Sequence, residues 1–216
     1  MVQRKSVVLL TGFDAFGGDT LNPSWLAVQA LHGHQIAGHR VVGVQLPTVF
    51  DASITTLRQA LIQHRPRLVV CVGQAGGRSA ISLERLAINV NDARIADNAD
   101  AQPIDTPVVA GAPAAYFSSL PIKAMLRDVQ QADIACEVSQ TAGTFVCNHV
   151  FYGLMHLLAT LRGFKAARGG FVHVPFLPEQ GSPCMALVDI CRGLQIAVRC
   201  ALETKQDAAI GAGAVQ

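Results

Sequence analysis

Between Arg40 and Val72 the chain reads RVVGVQLPTVFDASITTLRQALIQHRPRLVVCV, and this stretch decides the fold. Arg40–Leu46 is a β-branched run of strand type. Asp51–His64 has helical spacing, with Ile54, Leu57, Leu61 and Ile62 expected on one face and Pro66 just beyond the end. Arg67–Val72 is almost wholly apolar, the pattern of a strand covered on both faces. A strand, a helix and a doubly covered strand in succession argue for a sheet with helices above and below it.

The alternation continues in both directions. Ser6–Leu10 reads as a strand, and Asn22-Pro23-Ser24 supplies an N-cap and a first-turn proline for a helix running to about His32. Ile81–Val90 (ISLERLAINV) is read as a strand from the alternation of Glu84, Leu86, Ile88 and Val90. Asn91–Leu120 is rich in Asp, Ala, Pro and Gly without a sustained period, the mark of a functional loop or lid. Pro121–Gln131 follows as a helix with Ser119 as its N-cap, then Ile134–Ser139 as a strand. The turn Thr141-Ala142-Gly143 leads into a helix over Val146–Leu161, followed by a strand at Gly170–Val174 and a last helix at Met185–Leu202. The expectation is a single three-layer α/β/α domain over residues 1–204 with a largely parallel, twisted central sheet. Residues 205–216 are expected to form a frayed tail.

Composition removes several function classes. A net charge of +2 with scattered basic residues gives no nucleic-acid footprint. Mean hydropathy is positive, yet no apolar run reaches 18 residues, so no membrane span is expected. The apolar run after Arg4-Lys5 breaks at Thr11-Gly12 and is read as a buried first strand rather than a signal peptide. Six cysteines include no Cys-x-x-Cys and no metal-type spacing. They are read as free thiols of a reducing, cytoplasmic compartment.

In a sheet of this type ligands gather beyond the carboxyl ends of the strands. One such end leads to Cys147, at the start of a helix after a glycine turn. Helix-start amides favour a thiolate and can also receive an oxyanion. A buried structural cysteine is the competing reading. His149 lies two residues along the same helix, on another face, and His173 at the end of an apolar strand is the better base. Glu84, Asp92 and Asp97 are the candidates for the group that orients it. There is no His-Glu-x-x-His and no Gly-x-Ser-x-Gly. The glycine-rich Gly73–Gly77 loop allows a rival reading as an anion site on a nucleotide-binding sheet.

Four segments, TGFDAFGGDTLNPS, GQAGGRSAISLERLAINVNDARIADN, SQTAGTFVCNHVFYGLMH and VHVPFLPEQ, together resemble the type I pyroglutamyl peptidases, or pyrrolidone-carboxylate peptidases. The resemblance spans Val7 to Leu202. It implies a cysteine peptidase that removes N-terminal pyroglutamate through a thioester, with Cys147 as nucleophile, His173 as base and Glu84 as orienting acid. It also implies a ring pocket at Phe13, Phe16, Thr48, Ile95, Phe145 and Val146, backbone contacts around Gln74, and Arg94 near the oxyanion or the triad. Peptides with an N-terminal pyroglutamyl residue are the implied partners, with no cofactor, no metal, no nucleic acid and no membrane, and assembly as a homo-oligomer (dimer or tetramer). Phe176 stands where a tyrosine is frequent in that family. A flat, uncharged lactam suits aromatic walls and a few backbone hydrogen bonds.

Overall fold

The computed structural model describes residues 6–213. A seven-stranded sheet has the order β2-β3-β1-β4-β9-β5-β8. Its strands are β1 (Val7–Phe13), β2 (Gln35–Ile36), β3 (His39–Leu46), β4 (Leu68–Gln74), β5 (Ile81–Glu84), β8 (Cys136–Ser139) and β9 (Arg168–Val174). The central β3, β1, β4 and β9 are parallel, β2 runs against β3, and β5 with its parallel neighbour β8 runs against β9. Helices α1 (Pro23–Leu31), α3 (Ile122–Gln130) and α5 (Leu187–Glu203) cover one face, α2 (Ala52–His64) and α4 (Val146–Thr160) the other. This is the three-layer α/β/α arrangement expected from the Arg40–Val72 unit.

Local chemistry sets the element ends. Asn22 caps α1, its Oδ1 accepting from the Ser24 amide at 3.0 Å, and Ser24 Oγ accepts from the Phe13 amide at 3.0 Å, fastening the helix start to the end of β1. Along α2, Leu57 and Leu61 are fully buried, but Ile62 is 43% exposed. One residue beyond Leu61, it has rotated about 100° off the apolar stripe.

Three further expectations are corrected. Ile81–Val90 is two strands: β5 lies in the main sheet, and β6 (Leu86–Ile88) pairs antiparallel with β7 (Ala115–Phe117) in a separate two-stranded sheet. The change falls at Arg85, whose amide donates to the Ser139 carbonyl and whose carbonyl accepts from the Ser118 amide. Ser119 does not cap α3, because its hydroxyl is bonded to both backbone groups of Gly169. The cap comes from the other end of the chain, where the Asp207 carboxylate accepts from the Lys123 and Ala124 amides at 3.1 and 2.9 Å. Residues 205–213 thus carry no helix or strand, yet Asp207 and the Ala212 carbonyl, which accepts from Arg85, fasten them to the domain.

Candidate active site

Side chains alternate across a strand, so the register decides which residues share a face. On β4, Val70 and Val72 face the α1–α3–α5 layer and Cys71 faces α4. On β9, Val172 and Val174 face the first layer and Phe171 the second; on β5, Ile81 and Leu83 face the first. Gly73, His173, Ser82 and Glu84 therefore fall on the α4 side. Gly73 pairs with His173, and Ser82 pairs with His173 from the opposite strand. Glu84, two residues beyond Ser82, is a diagonal neighbour of His173 across the antiparallel pair.

The contact is made. His173 Nδ1 lies 2.7 Å from Glu84 Oε1, with His173 4% and Glu84 0% exposed. With the carboxylate accepting, Nδ1 carries the proton and Nε2 is left as the basic nitrogen. Asp92 and Asp97 do not compete. Asp97 accepts from the amides of Phe50, Ala99 and Ala101, and Asp92 is exposed.

Cys147 reaches the same place from above. The turn before α4 is built by Gly143 in the left-handed region (φ 77°), with its amide donating to Thr141 Oγ1. Thr144 Oγ1 then donates to the Asp92 carbonyl at 2.7 Å. Phe145 is the N-cap residue without a side-chain cap bond, so the first-turn amides keep their donors for a ligand. The sulfur occupies the space of a missing side chain, since a Cβ at Gly73 would stand 2.8 Å from both Cys147 Sγ and the Phe171 ring. Sulfur and imidazole thus flank one glycine.

The expected thiolate is a correction. Burial pushes the Cys147 thiol up to about 12, Glu84 adds to the rise, and Arg78 opposes it. Cys147 as a whole is half-buried, and enclosing its sulfur against Gly73 and Phe171 favours the thiol over the thiolate. His149, on another face of α4, is a packing residue. It is 1% exposed, its Nε2 accepts from the Asp51 amide at 2.9 Å, and its Nδ1 meets Asn91 Oδ1 at 2.9 Å.

The expected pocket residues divide into two groups. Phe145 is half-buried between Phe16, at 6.1 Å between ring centroids, and Phe50, edge-on at 5.5 Å. Arg94, Ile95 and Phe145 line a cavity of about 670 Å³ together with Asp92, Gly143 and Thr144. Phe13, Thr48 and Val146 are buried at 2% exposure or less; Phe13 packs on Phe171, and Thr48 bonds to Asp14. Gln74, at the end of β4, is held by Asp19 and Gln180. Arg94 is exposed in the cavity wall, and the guanidinium at the Glu84 carboxylate belongs to Arg78 instead, 2.8 Å from Oε1. Sequence reasoning passed over Arg78, although its place six residues before Glu84 in a glycine-rich loop was a usable signal.

The rival anion site loses its basis here. The Gly73–Gly77 loop leads into β5 rather than a helix, its first glycine is filled by Cys147 Sγ, and the Phe176 ring packs on Gly76. Among the described residues no group of three His, Cys, Asp or Glu side chains is arranged to hold a metal ion.

The family described as Pyroglutamyl peptidase matches residues 6–204. The chain belongs to the pyroglutamyl peptidase family. A pyrrolidone-carboxylate peptidase of Cupriavidus taiwanensis is 57% identical over 205 residues, covering 93% of this chain and 94% of that protein. The crystal structure of pyroglutamyl peptidase I from Bacillus amyloliquefaciens superposes with a TM-score of 0.93 at 46% identity, covering 96% of this chain and all of that one. A mutant pyrrolidone carboxyl peptidase from Pyrococcus furiosus gives a TM-score of 0.88 at 39% identity, with 91% of this chain and 98% of that one covered. No helix of the family member described here is long and apolar enough to cross a membrane, among the described residues.

Proposed function

We propose that this pyroglutamyl peptidase family member removes pyroglutamate from the amino terminus of peptides, with Cys147 as nucleophile, His173 as general base and Glu84 as its orienting acid. The observation that carries the reading is the 2.7 Å contact between His173 Nδ1 and the buried Glu84 carboxylate, beside the glycine against which Cys147 Sγ rests.

The chemistry follows from the protonation states. Because the resting sulfur is a thiol, His173 Nε2 takes its proton as Sγ attacks the pyroglutamyl carbonyl carbon. The oxyanion formed is held by first-turn amides of α4, where a donor contributes on the order of 10²–10³ in rate. As the tetrahedral species collapses, the C–N bond breaks and the imidazolium gives its proton to the departing peptide amine. Water, deprotonated by neutral His173, then attacks the thioester, releasing pyroglutamic acid and returning the proton to sulfur.

The lactam ring lies against Phe16, Phe145 and Ile95, above the buried Phe13, Thr48 and Val146, with strand-end backbone near Gln74 pairing its NH and C=O. Proline, lacking that carbonyl, would leave site donors unpaired and is rejected. Six free cysteines support a cytoplasmic setting. Assembly as a dimer or tetramer belongs to the same proposal.

Replacing Cys147 with alanine removes turnover of a pyroglutamyl arylamide while circular dichroism stays unchanged. Activity retained by the folded C147A protein overturns the assignment.

A further inference from the structure

Glu84 does not serve His173 alone. Arg78 Nη1 donates to Glu84 Oε1 at 2.8 Å, on the same oxygen that faces His173 Nδ1 at 2.7 Å. The second arm of the guanidinium, Nη2, reaches the Thr141 carbonyl at 3.3 Å, in the turn that delivers Cys147. Glu84 Oε2 is buried and has no partner in the described residues, so Arg78 and His173 are the carboxylate's whole set of polar contacts.

A carboxylate enclosed in this way would be costly to hold as an anion with a neutral imidazole as its sole partner. A permanently charged guanidinium with one arm on Oε1 offsets that cost, and its other arm on Thr141 fixes which way the carboxylate turns. The other charged groups around the site are committed elsewhere or lie further out. Glu137, on β8, accepts from Ser82 Oγ at 2.7 Å, and Arg85 is spent on Gln140 and the Ala212 carbonyl. Cys147 on α4 and Cys71 on β4 complete the surroundings, and Cys71, pushed up to about 12 by burial, is neutral.

We infer that Arg78 is a positioning residue of the reaction: it holds the Glu84 carboxylate aimed at His173 Nδ1, and it ties that carboxylate to the turn that carries the nucleophile. The inference rests on the Cys147–His173–Glu84 reading. It has an electrostatic consequence that a merely structural arginine would lack. The guanidinium opposes the imidazolium across a shared oxygen, so losing it favours the protonated imidazole and raises the pH at which the base becomes available.

The test is kcat and KM for a pyroglutamyl arylamide between pH 5 and 9 in wild type, R78M, R78K and E84Q, each checked for folding by circular dichroism. In R78M, kcat falls on the order of tenfold to a hundredfold with KM within about a factor of two, as for loss of part of general-base catalysis. The acid limb of its kcat/KM profile moves up by about one pH unit, the size expected for removing a neighbouring charge. R78K keeps the cation without the two-armed fork, so its acid limb stays at the wild-type position while kcat recovers only in part. Should R78M not fold, R78K alone decides, because wild-type kcat there would overturn the positioning role of the fork. A wild-type acid limb in folded R78M, whatever its kcat, also overturns the inference. If E84Q retains wild-type activity, it is the triad reading that fails, separately from Arg78.

Discussion

Lowering the pH from 7 to 4 should cost the folded chain about 3 kcal/mol through one side chain, His149. Burial drives its pKa down from 6.5 to about 4, and outweighs Asp51 and Asp97, which pull the other way. The physical reason is visible in its contacts. Nε2 must stay unprotonated to accept from the Asp51 amide, and at 1% exposure no water can take that amide's place. In the unfolded chain the imidazole binds its proton near pH 6.5, whereas the folded chain resists until about pH 4. Between those values the unfolded state holds more protons, so stability is full above about 6.5 and falls as the pH drops through the window. The slope reaches about 1.4 kcal/mol per pH unit at its steepest.

The assay is urea unfolding followed by circular dichroism at half-unit steps from pH 7.5 to 4, for wild type and H149Q. A glutamine can accept from the Asp51 amide and donate to Asn91 Oδ1 without titrating. H149Q costs some stability at pH 7 through imperfect packing against the Phe50 ring, which stands edge-on at 5.2 Å. The difference between the two curves then narrows as the pH falls, because only wild type loses the His149 contribution. Other carboxylates titrate alike in both proteins and cancel. Parallel curves across pH 6.5–4 would refute the reasoning.

Iodoacetamide alkylation of Cys147, read by mass spectrometry, should accelerate with rising pH past neutrality, because burial holds the thiol up to about 12. A rate plateau already reached at pH 6 would instead mean a preformed thiolate. G73A places a Cβ 2.8 Å from Cys147 Sγ, so it should lower urea stability by about 1–3 kcal/mol, as overpacking does. It should also depress turnover more than stability alone explains; wild-type kcat in G73A would show that the sulfur does not need that space. D207A removes the side-chain cap of α3 and should cost about 1 kcal/mol in urea unfolding, with turnover unchanged. Unchanged stability would mean the tail contributes nothing to α3.

The fold was legible where local pattern and tertiary burial ask for the same thing. Arg67–Val72 reads as a doubly covered strand because β4, Leu68–Gln74, is buried along almost its whole length, and Asn22-Pro23-Ser24 caps α1 by side-chain chemistry confined to three residues. The reading slipped where a distant partner decides. Nothing local to Ser119 shows that Gly169 will take its hydroxyl, nor that a carboxylate 84 residues beyond Lys123 will cap α3. ISLERLAINV alternates in two phases, Ile81 and Leu83 on one parity and Leu86, Ile88 and Val90 on the other, and reading it as one strand overlooked that change of phase at Glu84-Arg85, where the chain passes from one sheet to another.

That break at Arg85 also decides the site. Were Ile81–Val90 one continuous strand, Glu84 would sit in mid-strand with no turn behind it. Ending β5 at Glu84 lets the strand run against β9 for only a few residues, enough to pair Ser82 with His173 and leave Glu84 diagonal to it on the α4 face. The short loop before β5 then has the length to swing Arg78 back onto the same carboxylate oxygen. Cys147 needs the remaining condition, a strand residue without a side chain, and Gly73 meets it in register with His173. Each of these residues has an ordinary structural reading alone: a buried cysteine, a strand-end histidine, a strand-edge glutamate. Only the register of three strands, β4, β9 and β5, turns them into one device, and register is what a single sequence conveys least.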